Sequence, residues 1–291
     1  MKRKKITCVV SDARSLAVAE RLASLGGEVT VCGGERWMKK CSLERATSLK
    51  SAVVQGRILV LPTPAFDGDA RVRLDDAEVG ESARELFDLA DAETPIFAGR
   101  VGESEIELAR RCGITLVDYM QMEEVQWRNA IPTAEGALCL AMQRLDITLK
   151  DAHVAVLGYG RIATALCERL QALGAKVTAA ARKPRDVVRM ELAGYRALHI
   201  KDERSLLPLT AGYDVIFNTV PHRLLTPLLM ERMHPKTLLV ELASAPGGWD
   251  PATVVGDRAI YAPGLPGVYA PRTAGDIIAR AIFSAMKEGT V

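Results

Sequence analysis

The run Val154-Ala155-Val156-Leu157-Gly158-Tyr159-Gly160-Arg161-Ile162-Ala163 joins an apolar strand to a G-x-G-x-x-A turn and then to a helical pattern. That order is what a dinucleotide-binding turn requires. Gly158 permits the tight turn. Gly160 has no side chain to block a pyrophosphate, and Ala163 lets helix and strand pack closely. The free N–H groups and positive dipole of the helix N-terminus, with Tyr159, Arg161 and Ile162 around it, then face the phosphates. The next strand ends Ala181-Arg182-Lys183, 24 and 25 residues past Gly158 for the two cations. A site for NAD(H) places Asp or Glu about 20 residues past the first glycine to hold the ribose 2′-hydroxyl. Cations there suit a 2′-phosphate instead, so NADP(H) is expected, although Arg182 could also be a solvated charge at a strand end. Thr219, Val220 and Pro221 follow a later strand, Ala243 the one after it, and Pro263 the last. In such a sheet these strand ends line the nicotinamide crevice.

Hydride transfer asks the protein for orientation and a proton donor or acceptor. Asp12 and Arg14 follow the first strand of the chain, where parallel sheets bind ligands. Arg14 could pair with a substrate carboxylate or form a plain salt bridge. Thr133 and Glu135 stand where Pro132 is expected to open a long helix. They could face substrate, or they could cap the helix and complement its dipole. Arg272 lies near the start of the last helix, after the Pro- and Gly-rich segment 263–273, expected to be a stiff loop. His222, beside the nicotinamide crevice, is either an acid/base group or a solvated loop histidine.

The elements that must position these residues alternate between strand and helix twice over. Strands are expected at 6–10, 29–32, 58–61, 96–98 and 114–117, then at 153–157, 176–181, 215–218, 238–241 and 259–261. The fold class is therefore α/β: two Rossmann-like, doubly wound parallel-sheet domains with an interdomain cleft. The expected division is a substrate domain over 1–130, a linking helix over 131–150, a cofactor domain over 151–270, and a helix over 271–291 returning to the first domain. Residues 63–80 read as a polar, mobile loop.

Composition narrows the functional classes. The chain has 291 residues, 48% hydrophobic and 25% charged, with a net charge of +2. That balance suits a globular protein of two domains and implies no polyanionic partner. The start Lys2-Arg3-Lys4-Lys5 reads as a solubilising terminus rather than a nucleic-acid contact. The apolar run behind it, Ile6–Val10, is shorter than the roughly 7–15 residues of a signal sequence, and no segment approaches a membrane span. A cytoplasmic location follows as the expectation. Six cysteines without a C-x-x-C pair read as reduced, mostly buried thiols, and no metal is expected.

Several blocks together resemble the family of dipicolinate synthase A subunits. They are Asn129-Ala130-Ile131-Pro132-Thr133-Ala134-Glu135-Gly136, the fingerprint around Gly158, Leu242-Ala243-Ser244-Ala245-Pro246-Gly247-Gly248, and Ala262-Pro263-Gly264-Leu265-Pro266-Gly267 followed by Ala270-Pro271-Arg272-Thr273-Ala274-Gly275. Asp12-Ala13-Arg14 fits as well. Ser11 stands where a glycine would be expected, and Arg272 where lysine can also occur. The resemblance implies an oxidoreductase of dehydrogenase type. It implies work with a flavoprotein-like partner, the B subunit of the synthase, in the mother cell of a sporulating bacterium. The implied substrate is 4-hydroxy-tetrahydrodipicolinate, a small dicarboxylate that loses water and two hydrogens to become dipicolinate. Two carboxylates would give Arg14 and Arg272 a purpose. A homo-oligomer is also expected. Two other readings stay open. A D-2-hydroxyacid dehydrogenase shares the architecture, but this chain has no arginine in the Glu241–Ser244 region and no histidine before the last helix. A non-catalytic NADP(H)-binding protein is the other.

Overall fold

A computed structural model describes residues 4–39, 41–54, 58–74, 79–254 and 256–288. The first stretch of chain forms β1 (Lys5–Val10), α1 (Ala13–Ser24), β2 (Glu28–Gly33), α2 (Glu35–Met38), β3 (Glu44–Arg45), α3 (Leu49–Val54), β4 (Ile58–Val60), β5 (Arg71–Arg73), β6 (Val79–Ser82), α4 (Ala83–Leu89), β7 (Ile96–Ala98), α5 (Glu103–Arg111) and β8 (Leu116–Asp118). The helix α6 (Glu123–Arg144) follows. Then come β9 (His153–Leu157), α7 (Arg161–Ala172), β10 (Lys176–Ala181), α8 (Pro184–Leu192), β11 (Arg196–His199), β12 (Val215–Asn218), α9 (Pro227–Arg232), β13 (Leu238–Glu241), β14 (Ala259–Tyr261), α10 (Leu265–Tyr269) and α11 (Pro271–Glu288).

Residue contacts divide the chain into two units, Met1–Asn129 with Ala270–Val291, and Ala130–Tyr269. Each is built on a six-stranded parallel sheet. The orders are β3-β2-β1-β4-β7-β8 and β11-β10-β9-β12-β13-β14. Both read 3-2-1-4-5-6 within their own unit, the order of dinucleotide-binding sheets, with a switch point beside the first strand.

Strand periodicity explains why the runs read as continuously apolar. Val154 and Val156 of β9 join one core cluster while Ala155 and Leu157 join another on the opposite face. In β1, Ile6, Cys8 and Val10 face one cluster and Val9 the other. A parallel sheet covered on both faces needs this pattern.

Three expectations are corrected. The long helix does not open at Pro132 but at Glu123, and it carries Pro132 in its interior. Two acids, Glu123 and Glu124, lie in its first turn, where the helix dipole favours them, and Glu124 pairs with Arg128 one turn on (2.9 Å). Thr133 and Glu135 are therefore mid-helix, and neither caps it. The segment 63–80 is not an open loop where it is described. Ala65, Phe66 and Val72 are buried in a core cluster with Phe87, and β5 pairs antiparallel with β6. Residues 75–78 of that segment, and Lys2 and Arg3 of the basic start, lie outside the described residues. The segment 263–273 is not a continuous loop, because α10 occupies Leu265–Tyr269 and α11 begins at Pro271. Gly136 is what lets α6 approach α10: a Cβ there would lie 3.0 Å from the Leu265 Cβ and 3.1 Å from the Tyr269 ring.

Candidate functional site

The second unit presents the dinucleotide turn. Its first strand ends at Leu157, and Gly158 turns the chain at φ +99°, a conformation that favours glycine. A Cβ at Gly158 would collide with the Thr219 hydroxyl and touch Val220. That hydroxyl donates to the Leu157 carbonyl (2.8 Å), so the ends of β9 and β12 are tied together at the turn. Gly160 is the N-cap of α7, and no side chain caps the helix there. A Cβ built on Gly160 meets nothing within 4 Å. The turn thus leaves open space in front of uncapped helical N–H groups, which is what a pyrophosphate needs. Ala163 is fully buried in the helix–sheet core. Tyr159 packs edge-on against Tyr195, ring centroids 6.4 Å apart, and the Arg189 guanidinium lies 5.2 Å from its ring centre. Burial raises the Tyr159 hydroxyl above its ordinary pKa. Arg161 is exposed, and Ile162 is half-buried against the core.

Arg182 and Lys183 are exposed in the turn after β10, and Lys183 is the N-cap of α8. The acid in the first turn of α8, Asp186, is engaged by Arg189 (3.3 Å) and Arg185 (3.9 Å). The turn therefore presents cations, and its neighbouring carboxylate is already paired.

At the same carboxyl end of the sheet, on the other side of the switch point, Thr219, Val220 and Ala243 are half-buried and Pro221 and Pro263 exposed, all following the ends of strands. Beneath them lie two polar residues, Asn218, which the sequence placed at the strand end beside the nicotinamide crevice, and Glu241, which motif reasoning missed. Both are buried, and they are register partners at the last positions of β12 and β13. A signal existed: each ends an otherwise apolar strand run. His222 is exposed in the loop after Pro221.

The first unit builds a different turn. Asp12 is the N-cap of α1, and its carboxylate accepts from the Ser15 amide (2.7 Å) while the Ser15 hydroxyl accepts from the Asp12 amide (2.9 Å). Arg14 is buried, donates to Asp12 Oδ2 at 3.2 Å and also to the Thr63 carbonyl. The Thr63 and Tyr119 hydroxyls bond at 2.6 Å, and Tyr119 donates to the Leu61 carbonyl at 3.0 Å. Burial pushes the Tyr119 hydroxyl far above its ordinary pKa. Gly99 is needed beside them, since a Cβ would run into both hydroxyls. Thr63 and Tyr119 stand outside any recognisable motif, so sequence reasoning passed over them.

Arg272, exposed in the first turn of α11, belongs to this same unit. A Cβ on Gly275 would lie 2.8 Å from the Arg14 carbonyl, and the Lys4 ammonium at the other end of the unit donates to the Met286 carbonyl (2.5 Å). The two helices α1 and α11 therefore run in the same direction. Arg272 thus shares with Asp12 the carboxyl end of the β1 sheet. Thr133 and Glu135 belong to the second unit, where Glu135 pairs with Arg169 at 3.2 Å.

Fold and turn together define a dehydrogenase-type protein whose second unit is a nicotinamide-dinucleotide domain. Residues 119–246 match the D-isomer specific 2-hydroxyacid dehydrogenase NAD-binding domain, and residues 6–120 match the N-terminal domain of the dipicolinate synthase A subunit. The chain is 31% identical over 294 aligned residues to the dipicolinate synthase A subunit of Bacillus subtilis strain 168, covering 98% of this chain and 96% of that protein. It belongs to the family of dipicolinate synthase A subunits. The crystal structure of the dipicolinate synthase A chain from Bacillus subtilis superposes with a TM-score of 0.87 at 29% identity, covering 99% of this chain and 97% of that one. The A subunit from Bacillus halodurans superposes at 0.84 with 25% identity, covering 97% of each chain. Among the described residues no His, Cys, Asp or Glu cluster could hold a metal, and no helix is long and apolar enough to cross a membrane. The cysteines are free thiols.

Proposed function

We propose that the chain is the dehydrogenase component of a dipicolinate synthase: it takes 4-hydroxy-tetrahydrodipicolinate to dipicolinate with NADP⁺ as oxidant. The ring loses one water, then a hydride to the cofactor and a proton to a base, and becomes aromatic. The observation that carries this reading is the pairing of the family match with the open, uncapped Gly158–Gly160 turn in the second unit.

Bound there, the cofactor supplies a hydride acceptor. The chain's residues do the rest. The first turn of α7 holds the pyrophosphate, with Gly158, Tyr159, Gly160, Arg161 and Ile162 shaping it. Arg182 and Lys183 hold a 2′-phosphate. Thr219, Val220, Pro221, Ala243 and Pro263 bound the nicotinamide end. In the first unit, Arg272 takes a substrate carboxylate. Asp12, held by Ser15 and Arg14, is the proton acceptor during loss of water. Arg14, buried and doubly engaged, positions Asp12 rather than reaching for substrate. Thr133 and Glu135 face the substrate from α6, Glu135 by opening its pair with Arg169. The same reading carries a flavoprotein-like partner and the mother cell of a sporulating bacterium as the place of work.

The test is absorbance of reduced nicotinamide when the protein meets freshly generated substrate with NADP⁺ or NAD⁺, with and without the partner. NADPH and dipicolinate should appear together, and Arg182→Ala should weaken NADP⁺ binding by about tenfold or more while sparing NAD⁺. A clear preference for NAD⁺ would overturn the cofactor assignment. No reduction of either cofactor, even with the partner, would leave a non-catalytic dinucleotide-binding protein.

A further inference from the structure

The Glu241 carboxylate ends β13, is only 4% exposed, and has no ion pair among the described residues. Among the described residues it accepts every hydrogen bond it makes. Oε1 accepts from Asn218 Nδ2 (2.7 Å) and the Ala243 amide (3.0 Å), and Oε2 accepts from the Gly248 amide (2.6 Å). That set complements a carboxylate, which only accepts, rather than a carboxylic acid, which must also donate. Asn218 passes the tether to the loop after β12: its amide donates to the Val220 carbonyl (2.9 Å), and its oxygen accepts from the Val220 amide (3.2 Å). The Gly248 carbonyl then accepts from the Leu224 and Leu225 amides, both at 2.8 Å. Glycine is required for this closure. A Cβ on Gly247 would lie 2.9 Å from Glu241 Oε2, and one on Gly248 2.5 Å from Asn218 Nδ2.

One acid therefore holds together the two loops that follow β12 and β13. These loops are the ones whose strand ends adjoin the dinucleotide turn, since Thr219 bonds back to Leu157. A charge fixed in a low-dielectric setting acts more strongly than one in water, and no cation among the described residues pairs with this one. A nicotinamide ring is cationic when oxidised and neutral when reduced.

We propose that Glu241 is the positioning residue for the nicotinamide end of the site, and that its buried charge biases the site towards the oxidised cofactor. The inference rests on the nicotinamide reading above. The two halves of the role separate by measurement. Loss of loop positioning weakens both cofactor forms alike, whereas loss of charge weakens only the oxidised form.

The experiment is equilibrium binding of NADP⁺ and NADPH, followed by protein fluorescence, with 2′-phospho-ADP-ribose as the ring-free reference. The wild-type protein should gain about tenfold in affinity from the oxidised ring relative to the reduced one. Glu241→Gln should erase that ratio, Glu241→Asp should retain it, and Asn218→Ala should weaken both forms without changing it. An unchanged ratio in Glu241→Gln overturns the proposal. Should that variant fail to fold, a wild-type protein that binds NADPH as tightly as NADP⁺ overturns it equally. Wild-type protein that binds neither form nor the ring-free reference sinks the cofactor reading itself, a distinct result.

Discussion

The two units share one strand order and diverge at the same place, the turn after the first strand. In the second unit that turn is Gly158-Tyr159-Gly160, and α7 begins uncapped. In the first it is Ser11-Asp12, and the Asp12 carboxylate already occupies the N-terminus of α1 in a reciprocal cap with Ser15. A helix N-terminus attracts one anion. The second unit leaves the position for a phosphate, and the first fills it with its own side chain. Identical topology thus places the two helix N-termini alike, while the N-cap residue, Asp12 or Gly160, decides whether the chain's own side chain caps it.

The sharpest way to break this contrast is Gly160→Asp, which gives the second unit an acidic N-cap like the first unit's. The new side chain meets open space at a β-region N-cap, so the fold should survive. Cofactor affinity should fall by at least about a hundredfold, ~2.7 kcal/mol, by titration, with no loss of melting temperature. Unchanged binding would show that the phosphates do not use this turn. Next comes Gly275→Ala in the first unit, where a Cβ would lie 2.6 Å from the Ala17 Cβ. Overpacking of the α1–α11 contact should cost about 2 kcal/mol in urea unfolding and leave cofactor binding intact.

Alkaline pH separates the units more gently. In the first unit burial raises Cys8, lifts Cys32 to about 12 and raises Tyr119, whereas in the second it lifts Cys167 to about 12. These groups hold their protons in the folded chain and release them on unfolding. Their contribution is whole below the unfolded values, about 8.5 for thiols and 10 for tyrosine, and is lost as pH rises towards the folded ones. Stability should therefore fall above about pH 8.5, and Cys8→Ala should reduce the slope by up to ~1.4 kcal/mol per pH unit. An unaltered slope would place Cys8 in solvent. The smallest effect is expected of Asp12→Ala, which removes the α1 cap and should cost about 1 kcal/mol of stability. Its urea midpoint should drop while NADP⁺ affinity stays the same, the converse of Gly160→Asp.

The dinucleotide turn was legible because its requirements are local: strand, glycines and helix follow one another along the chain. The strand runs were legible for the same reason. Pro132 misled because proline favours a first helical turn, yet here the turns from Glu123 onward precede it. The segment 63–80 looked polar, and its order comes from Ala65, Phe66 and Val72 packing against distant residues. Arg14 read equally as a substrate contact or a plain salt bridge, and the structure pairs it with Asp12. Its burial against Thr63, 49 positions away, is visible only in three dimensions. The pairing of Glu241 with Asn218, 23 positions apart, was hidden for the same reason, although both stood out as polar ends of apolar strands.

The helix α11 has a consequence for how the protein is made. It is synthesised after the whole of the second unit, and it covers α1, which is synthesised before that unit. Once Tyr269 has been added, every residue of that contiguous second unit has been made. The earlier unit at that moment still lacks the helix that buries Leu16, Val18 and Leu22 alongside Ile277, Ile278 and Ile282. The nascent chain must therefore carry an apolar surface through the synthesis of some 140 further residues, the window in which a chaperone has something to hold.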